Sequence, residues 1–110
     1  MAGKFEIYKD NAGEFRFRLK AGNNENIGAS EGYKSKASAE NGIASVVKNA
    51  PLDERYEVFE GKNGKAYFRL KAGNHEVILA SQGYADKSGA KAGIDAVKRA
   101  AADASTDDLT

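Results

Sequence analysis

The sequence predicts an α+β fold: an internal duplication of a βββα unit, with an antiparallel sheet and two helices packed on one face. Three observations lead there. A shift of 51 positions lays residues 5–50 on 56–101 without a gap, and 21 of those 46 positions are identical, including Phe17–Asn23 on Phe68–Asn74. In the first part of each copy apolar residues alternate with polar ones at period two. In the last part they recur at helical spacing.

The elements follow in order. Phe5-Glu6-Ile7-Tyr8 and Tyr56-Glu57-Val58-Phe59 alternate as first strands. Phe15–Ala21 alternates more strictly, apolar on odd numbers and cationic at Arg16, Arg18 and Lys20. Glu25–Ser30 and Glu76–Ser81 are shorter third strands. Ser35 and Asp86 stand in matching positions as helix N-caps, where a side-chain oxygen can accept a free first-turn amide. Ala39, Gly42, Ile43, Val46 and Ala50 then share one helical face, as do Ala90, Gly93, Ile94, Val97 and Ala101. Pro51 closes the first helix because it lacks the next backbone donor. The second has no such stop and is expected to fray into the polar stretch Ser105-Thr106-Asp107-Asp108. These elements place the chain in one domain, 1–110, with repeat one at 4–50, a linker at 51–55, repeat two at 56–103 and a polar tail at 104–110.

Face consistency sets the turns. Residues opposed in an antiparallel pair share a face, so three-residue loops such as Lys62-Asn63-Gly64 keep the apolar set together, whereas two-residue loops would expose half of it. Such a loop wants a left-handed last residue, and Gly13 and Gly64 supply it. The same rule puts Asn24 and the lone histidine, His75, at left-handed positions of the second hairpins, where both residue types are tolerated. Glu6 falls opposite Arg18, and Glu57 opposite Arg69, on the face away from the helices. The expected core is Phe5, Ile7, Phe17, Leu19, Ile27, Ile43 and Val46 with Tyr56, Val58, Phe68, Leu70, Ile78, Ile94 and Val97. Gly42 and Gly93 lie mid-helix on the inward side, where each costs about 1 kcal/mol relative to Ala. They read as points where backbone approaches backbone. Tyr33 and Tyr84, recurring just before the helices, read as aromatics capping the core.

Composition removes several function classes. The chain has 110 residues, 41% hydrophobic and 30% charged, the balance of a globular domain. It contains no cysteine and one histidine, so thiolate chemistry, disulfides and polyhistidine metal sites are excluded. No metal, cofactor or catalytic constellation is expected. The Gly- and Lys-rich segment 61–65 lacks the strand–loop–helix context of a phosphate-binding loop and reads as a hairpin tip. A net charge of +1 supplies no global field for nucleic acid or membrane. No apolar run is long enough to span a bilayer, and the expected location is the cytoplasm.

What remains is the open sheet face. Tyr8, Arg16, Arg18, Lys20, Phe59, Tyr67, Arg69 and Lys71 form the candidate interaction face. Phe59, Tyr67, Val77 and Leu79 would make its second half more apolar than the first, where Tyr8, Arg16, Asn26 and Gly28 stand in their places. That patch suits a protein partner or self-association, or a cover supplied by the tail or linker. Cations interleaved with aromatics also suit single-stranded nucleic acid. Glu6 and Glu57 would neutralise part of that charge, making this the weaker alternative.

The opening F-E-I-Y-K, the run R-L-K-A-G-N, A-S-x-G-Y and N-G-I-x-S-V at Asn41–Val46 together resemble the YegP-like family of small bacterial tandem-repeat proteins, over Gly3 to about Ala101. Where such relatives often carry Trp in the second strand, this chain has Phe15, Phe17, Ala66 and Phe68. The resemblance implies two copies contributing to one sheet. It leaves room for segments after the helices to be exchanged, in which case Asp108-Leu109-Thr110 docks as a short final strand. The family has no established biochemical activity, so the resemblance assigns no functional residue. The function expected is that of a small non-catalytic binding module.

Overall fold

The structure, a computed structural model, describes residues 3–110. The chain runs β1 (Lys4–Lys9), β2 (Phe15–Lys20), β3 (Asn26–Ala29), α1 (Lys36–Asn49), a 3-10 turn at Asp53–Arg55, β4 (Tyr56–Glu60), β5 (Ala66–Lys71), β6 (Val77–Ala80), α2 (Lys87–Ala102) and β7 (Ser105–Asp108). The seven strands form one sheet in the order β4-β5-β6-β3-β2-β1-β7, antiparallel except where β7 runs parallel to β1. At the seam β3 pairs with β6 through Ala29 and Ala80, which are equivalents under the 51-residue shift. An antiparallel pair of equivalent residues puts a pseudo-two-fold axis through the middle of the sheet.

Caps and turns form where local chemistry favours them. Ser35 Oγ accepts from the Ser38 amide at 3.1 Å and Asp86 Oδ1 from the Gly89 amide at 2.9 Å, as N-caps do. The first hairpins close with Gly61 N–H donating to Lys65 O, and Gly13 and Gly64 have φ of +83° and +79°. Asn24 and His75 sit at φ +71° and +69°, so the histidine serves its turn. Glu6 lies opposite Arg18, and Glu57 opposite Arg69.

The structure departs from expectation at the second hairpins, the C-terminal segment and the outer core, as well as at the mid-helix glycines. First, the second hairpins carry a bulge. Lys71 pairs with Val77 but Leu70 with Leu79, so Ile78 is the extra residue; Ile27 plays that part in repeat one. Two successive residues therefore turn inward, and Leu79 is fully buried instead of lining the open face, as is Gly28. Burying one leucine contributes about 1.5–3 kcal/mol, which favours the irregular register. The two positions meet at the seam: a Cβ on Gly28 would lie 2.9 Å from Leu79 Cγ. Second, the segment read as a fraying tail forms β7, which starts three residues before the Asp108–Thr110 strand that the resemblance left room for. It spans Ser105–Asp108, Leu109 N–H donates to Ile7 O at 2.8 Å, and the side chain of Leu109 stays exposed. Third, Tyr56, Val58 and Ile94 are only partly buried, whereas their equivalents Phe5, Ile7 and Ile43 are buried. β7 covers β1, and among the described residues no strand covers β4.

The mid-helix glycines admit rings. A Cβ on Gly42 would fall 2.7 Å from Tyr33 Oη and 2.8 Å from Phe17 Cε2; on Gly93 it would fall 2.4 Å from Tyr84 Oη and 2.8 Å from Phe68 Cε2. The close approach is therefore to aromatic side chains, not to backbone. Tyr33 stacks on Phe17 and Tyr84 on Phe68, each at 6.2 Å between centroids. Burial pushes both phenol pKa values up. α1 packs on β2 and reaches β5 and β6; α2 packs on β5 and β4 and reaches β2 and β3, so each helix spans the seam.

Gly93→Ala is expected to destabilise by about 1–3 kcal/mol despite the better helix propensity of Ala. In a Tyr84→Phe background part of that cost should return, because the hydroxyl is what the methyl meets. Urea unfolding of the four proteins measures it; an equal cost in both backgrounds sinks the ring-contact explanation. A second expectation concerns β7. Lys36 Nζ lies 2.7 Å from Asp108 Oδ2, and that ammonium, helped by the Thr110 hydroxyl and amide, holds the Asp108 carboxyl down at about 2 from 3.8. A depressed carboxyl pKa stabilises the folded strand above about pH 4 and loses that contribution as pH falls through about 2. Protection of the Leu109 amide should drop across that window, and Asp108→Asn should remove the dependence. An Asp108 carboxyl that titrates at 3.8 or above in NMR would refute it.

Candidate interaction face

The face bearing Arg16, Arg18 and Lys20 of β2 continues through Tyr67, Arg69 and Lys71 of β5. Every cation among the candidate residues has a carboxylate partner. Arg18 Nε donates to Glu6 Oε1 at 2.7 Å, and Lys20 and Lys4 Nζ lie 3.3 and 3.4 Å from the same carboxylate. Arg16 Nε donates to Asp10 Oδ2 at 2.6 Å, and Arg69 and Lys71 each lie 3.5 Å from Glu57 Oε1.

Position decides what each carboxylate is worth. Glu6 is only 6% exposed, buried beneath three cations, and its pKa is lowered chiefly by the Arg18 hydrogen bond, with burial opposing. Glu57 is exposed, so its pairs are screened. Asp10 is held low by Arg16 and by the amides of Glu14 and Ala12, which fold the first turn around it. Sequence reading did not name Asp10; its place at a turn start, six residues before an arginine, was the available signal.

The two halves of the face have diverged. Where repeat one has Asp10 and Arg16, repeat two has Gly61 and Tyr67, and a Cβ on Gly61 would lie 2.6 Å from the Tyr67 ring. Tyr67 stacks on Phe59 at 5.6 Å and 18°, the Arg69 guanidinium covers Phe59 at 4.1 Å, and Asn63 donates to Tyr67 Oη at 2.9 Å. In repeat one the corresponding guanidinium, Arg18, covers Tyr8 at 4.5 Å. A shallow cleft of about 400 Å³ crosses the seam, lined among others by Arg16, Glu31, Phe59, Tyr67, Arg69 and Val77. It brings together four of the eight candidate residues, Arg16, Phe59, Tyr67 and Arg69. Tyr8, Arg18, Lys20 and Lys71 lie outside its lining. Leu79 has left the face through the bulge, while Val77 remains on it opposite Lys71. Glu31, which sequence reading did not name, also lines the cleft.

Among the described residues no group of three or more His, Cys, Asp or Glu could hold a metal ion, and no helix is long and apolar enough to cross a membrane.

Comparison with known proteins finds a family model described as a domain of unknown function, DUF1508, matching twice, at residues 10–57 and 62–108. Each match starts after the first strand of a copy and ends in the strand that follows its helix, a different phase from the βββα division. The chain is 56% identical over 104 residues to the UPF0339 protein in the ptx operon 5' region of Stutzerimonas stutzeri, covering 94% of each. It is 54% identical over 110 residues to a UPF0339 protein of Acinetobacter baylyi, covering 100% of this chain and 99% of that one. A solution NMR structure of YegP from E. coli, a protein of unknown function, superposes with a TM-score of 0.94 at 51% identity, covering 100% of this chain and 95% of that one.

Glu6→Gln is expected to cost about 1–3 kcal/mol, because three cations lose a buried partner. Glu57→Gln should cost under about 1 kcal/mol. Chemical denaturation compares them, and equal losses would show that burial of Glu6 does not matter.

Proposed function

The chain belongs to the UPF0339 (YegP-like) family of DUF1508 proteins, and from that premise we propose that it is a non-catalytic interaction module of the cytoplasm. Two βββα copies with both helices on one face leave the other face free to bind a protein partner. What supports this reading is one observation: the Phe59–Tyr67 stack under Arg69 borders a cleft that also takes Arg16 from the other repeat. Stacked rings and a guanidinium present area at small entropic cost, the composition of protein-binding hot spots. The single domain of residues 1–110 acts as the unit, since the cleft draws on both repeats.

Single-stranded nucleic acid is the rival. It needs cations available to phosphates, and the five candidate cations, Arg16, Arg18, Lys20, Arg69 and Lys71, are each committed to Asp10, Glu6 or Glu57. Two measurements test the proposal. A photo-reactive phenylalanine analogue at Tyr67 should give a discrete protein adduct in cells, lost with Arg69→Glu, while a labelled oligonucleotide should show no salt-steep binding. Absence of any adduct overturns the proposal. Oligonucleotide affinity that falls steeply with salt, and weakens with Arg16→Ala or Tyr67→Ala, transfers the face to the rival.

A further inference from the structure

The pseudo-two-fold axis gives the sheet two equivalent outer positions, beside β1 and beside β4, and among the described residues only the first holds a strand. From what holds that strand we infer that the β4 edge is a docking site for an extended acidic peptide, which adds as a parallel strand in the register β7 uses on β1.

β7 pairs Lys4–Ile7 with Ser105–Asp108. Its side chains split between the faces: Asp107 lies 3.7 Å from Lys4 Nζ, and Asp108 meets Lys36 Nζ at the start of α1. Under the 51-residue shift Lys4 becomes Arg55 and Lys36 becomes Lys87, so both cations recur at the second edge. Neither is in an ion pair there among the described residues; Arg55 is held beside the edge by Nε donating to Asn49 Oδ1 at 3.1 Å. The backbone is available from Val58 onward, the Tyr56 N–H being taken by Asp53 O in the 3-10 turn that precedes the strand. Gly61 bonds to Lys65, so alternation turns Val58 and Glu60 away from β5, and Val58 is the equivalent of Ile7, whose carbonyl accepts from Leu109.

Next to this edge lies a groove of about 340 Å³ between β4 and α2, floored by Tyr56, Val58 and Ile94. These are the residues whose repeat-one equivalents are buried. Its rim is balanced, Lys91 and Lys98 of α2 standing where α1 has Glu40 and Val47 but facing Asp95 and an Asp53 paired with Lys98, so the preference for acid rests on Arg55 and Lys87. A strand laid here would gain main-chain hydrogen bonds from the edge and specificity from alternate side chains, one set over the groove and one toward Arg55. This surface is distinct from the central cleft, so its failure would leave the function proposed above standing.

The probe is the acetylated peptide of residues 104–110, added to the ¹⁵N-labelled full chain. Tethered β7 keeps the β1 position filled at high effective concentration, so the free peptide reports on β4. Amide shifts should centre on Arg55–Glu60 and Lys87. Arg55→Glu/Lys87→Glu, and a peptide with both aspartates changed to asparagine, should each weaken binding roughly tenfold. The inference is overturned by no shifts at millimolar peptide, by shifts confined to Lys4–Lys9, or by equal affinity for the neutral peptide. It is also overturned if the β4 amides shift with protein concentration alone, which would make a second copy the occupant.

Discussion

Everything in this molecule hangs on a short antiparallel junction between β3 and β6. Two three-stranded halves meet there through the equivalent residues Ala29 and Ala80. Four-residue strands offer few main-chain hydrogen bonds, so the junction holds because both helices lie across it. Each helix grips strands of the opposite copy, and the rings at Gly42 and Gly93 lock it close. The hydrophobic interior is therefore shared, and neither half owns a complete core.

That symmetry is broken at the ends. Among the described residues a strand, β7, lies beside β1 and none lies beside β4. β7 shields β1 and lets Phe5 and Ile7 bury fully; β4 keeps Tyr56 and Val58 partly in water. Tyr56 compensates by donating its hydroxyl to Ala50 O at 2.7 Å, a bond its equivalent Phe5 cannot make. The open face diverged in parallel. Its first half became a network of ion pairs around a buried glutamate, and its second half became aromatic.

Much of this was legible in the residues because strand parity is a strict rule. It fixes three-residue turns, the left-handed sites at Gly13, Asn24, Gly64 and His75, and the Glu6–Arg18 and Glu57–Arg69 pairs. Parity fails where a bulge inserts a residue, as at Ile78. The warning was the unbroken apolar run Val77-Ile78-Leu79, which alternation cannot place. β7 was hidden for another reason: Ser105–Asp108 has no apolar periodicity, and its stability comes from β1 and from Lys4 and Lys36, far away in sequence. The candidate face was found as a list of eight side chains. Which four surround a cleft depends on the sheet order, and pairing between repeats cannot be read from either repeat alone.

The contact between Gly28 and Leu79 has a consequence for ancestry. Two first halves brought together about this axis would set glycine against glycine and leave a hole; two second halves would force leucine into leucine. Only unlike halves fill the seam. Whatever identical pair once associated here, the present halves have become mates by volume, and neither could return to pairing with itself.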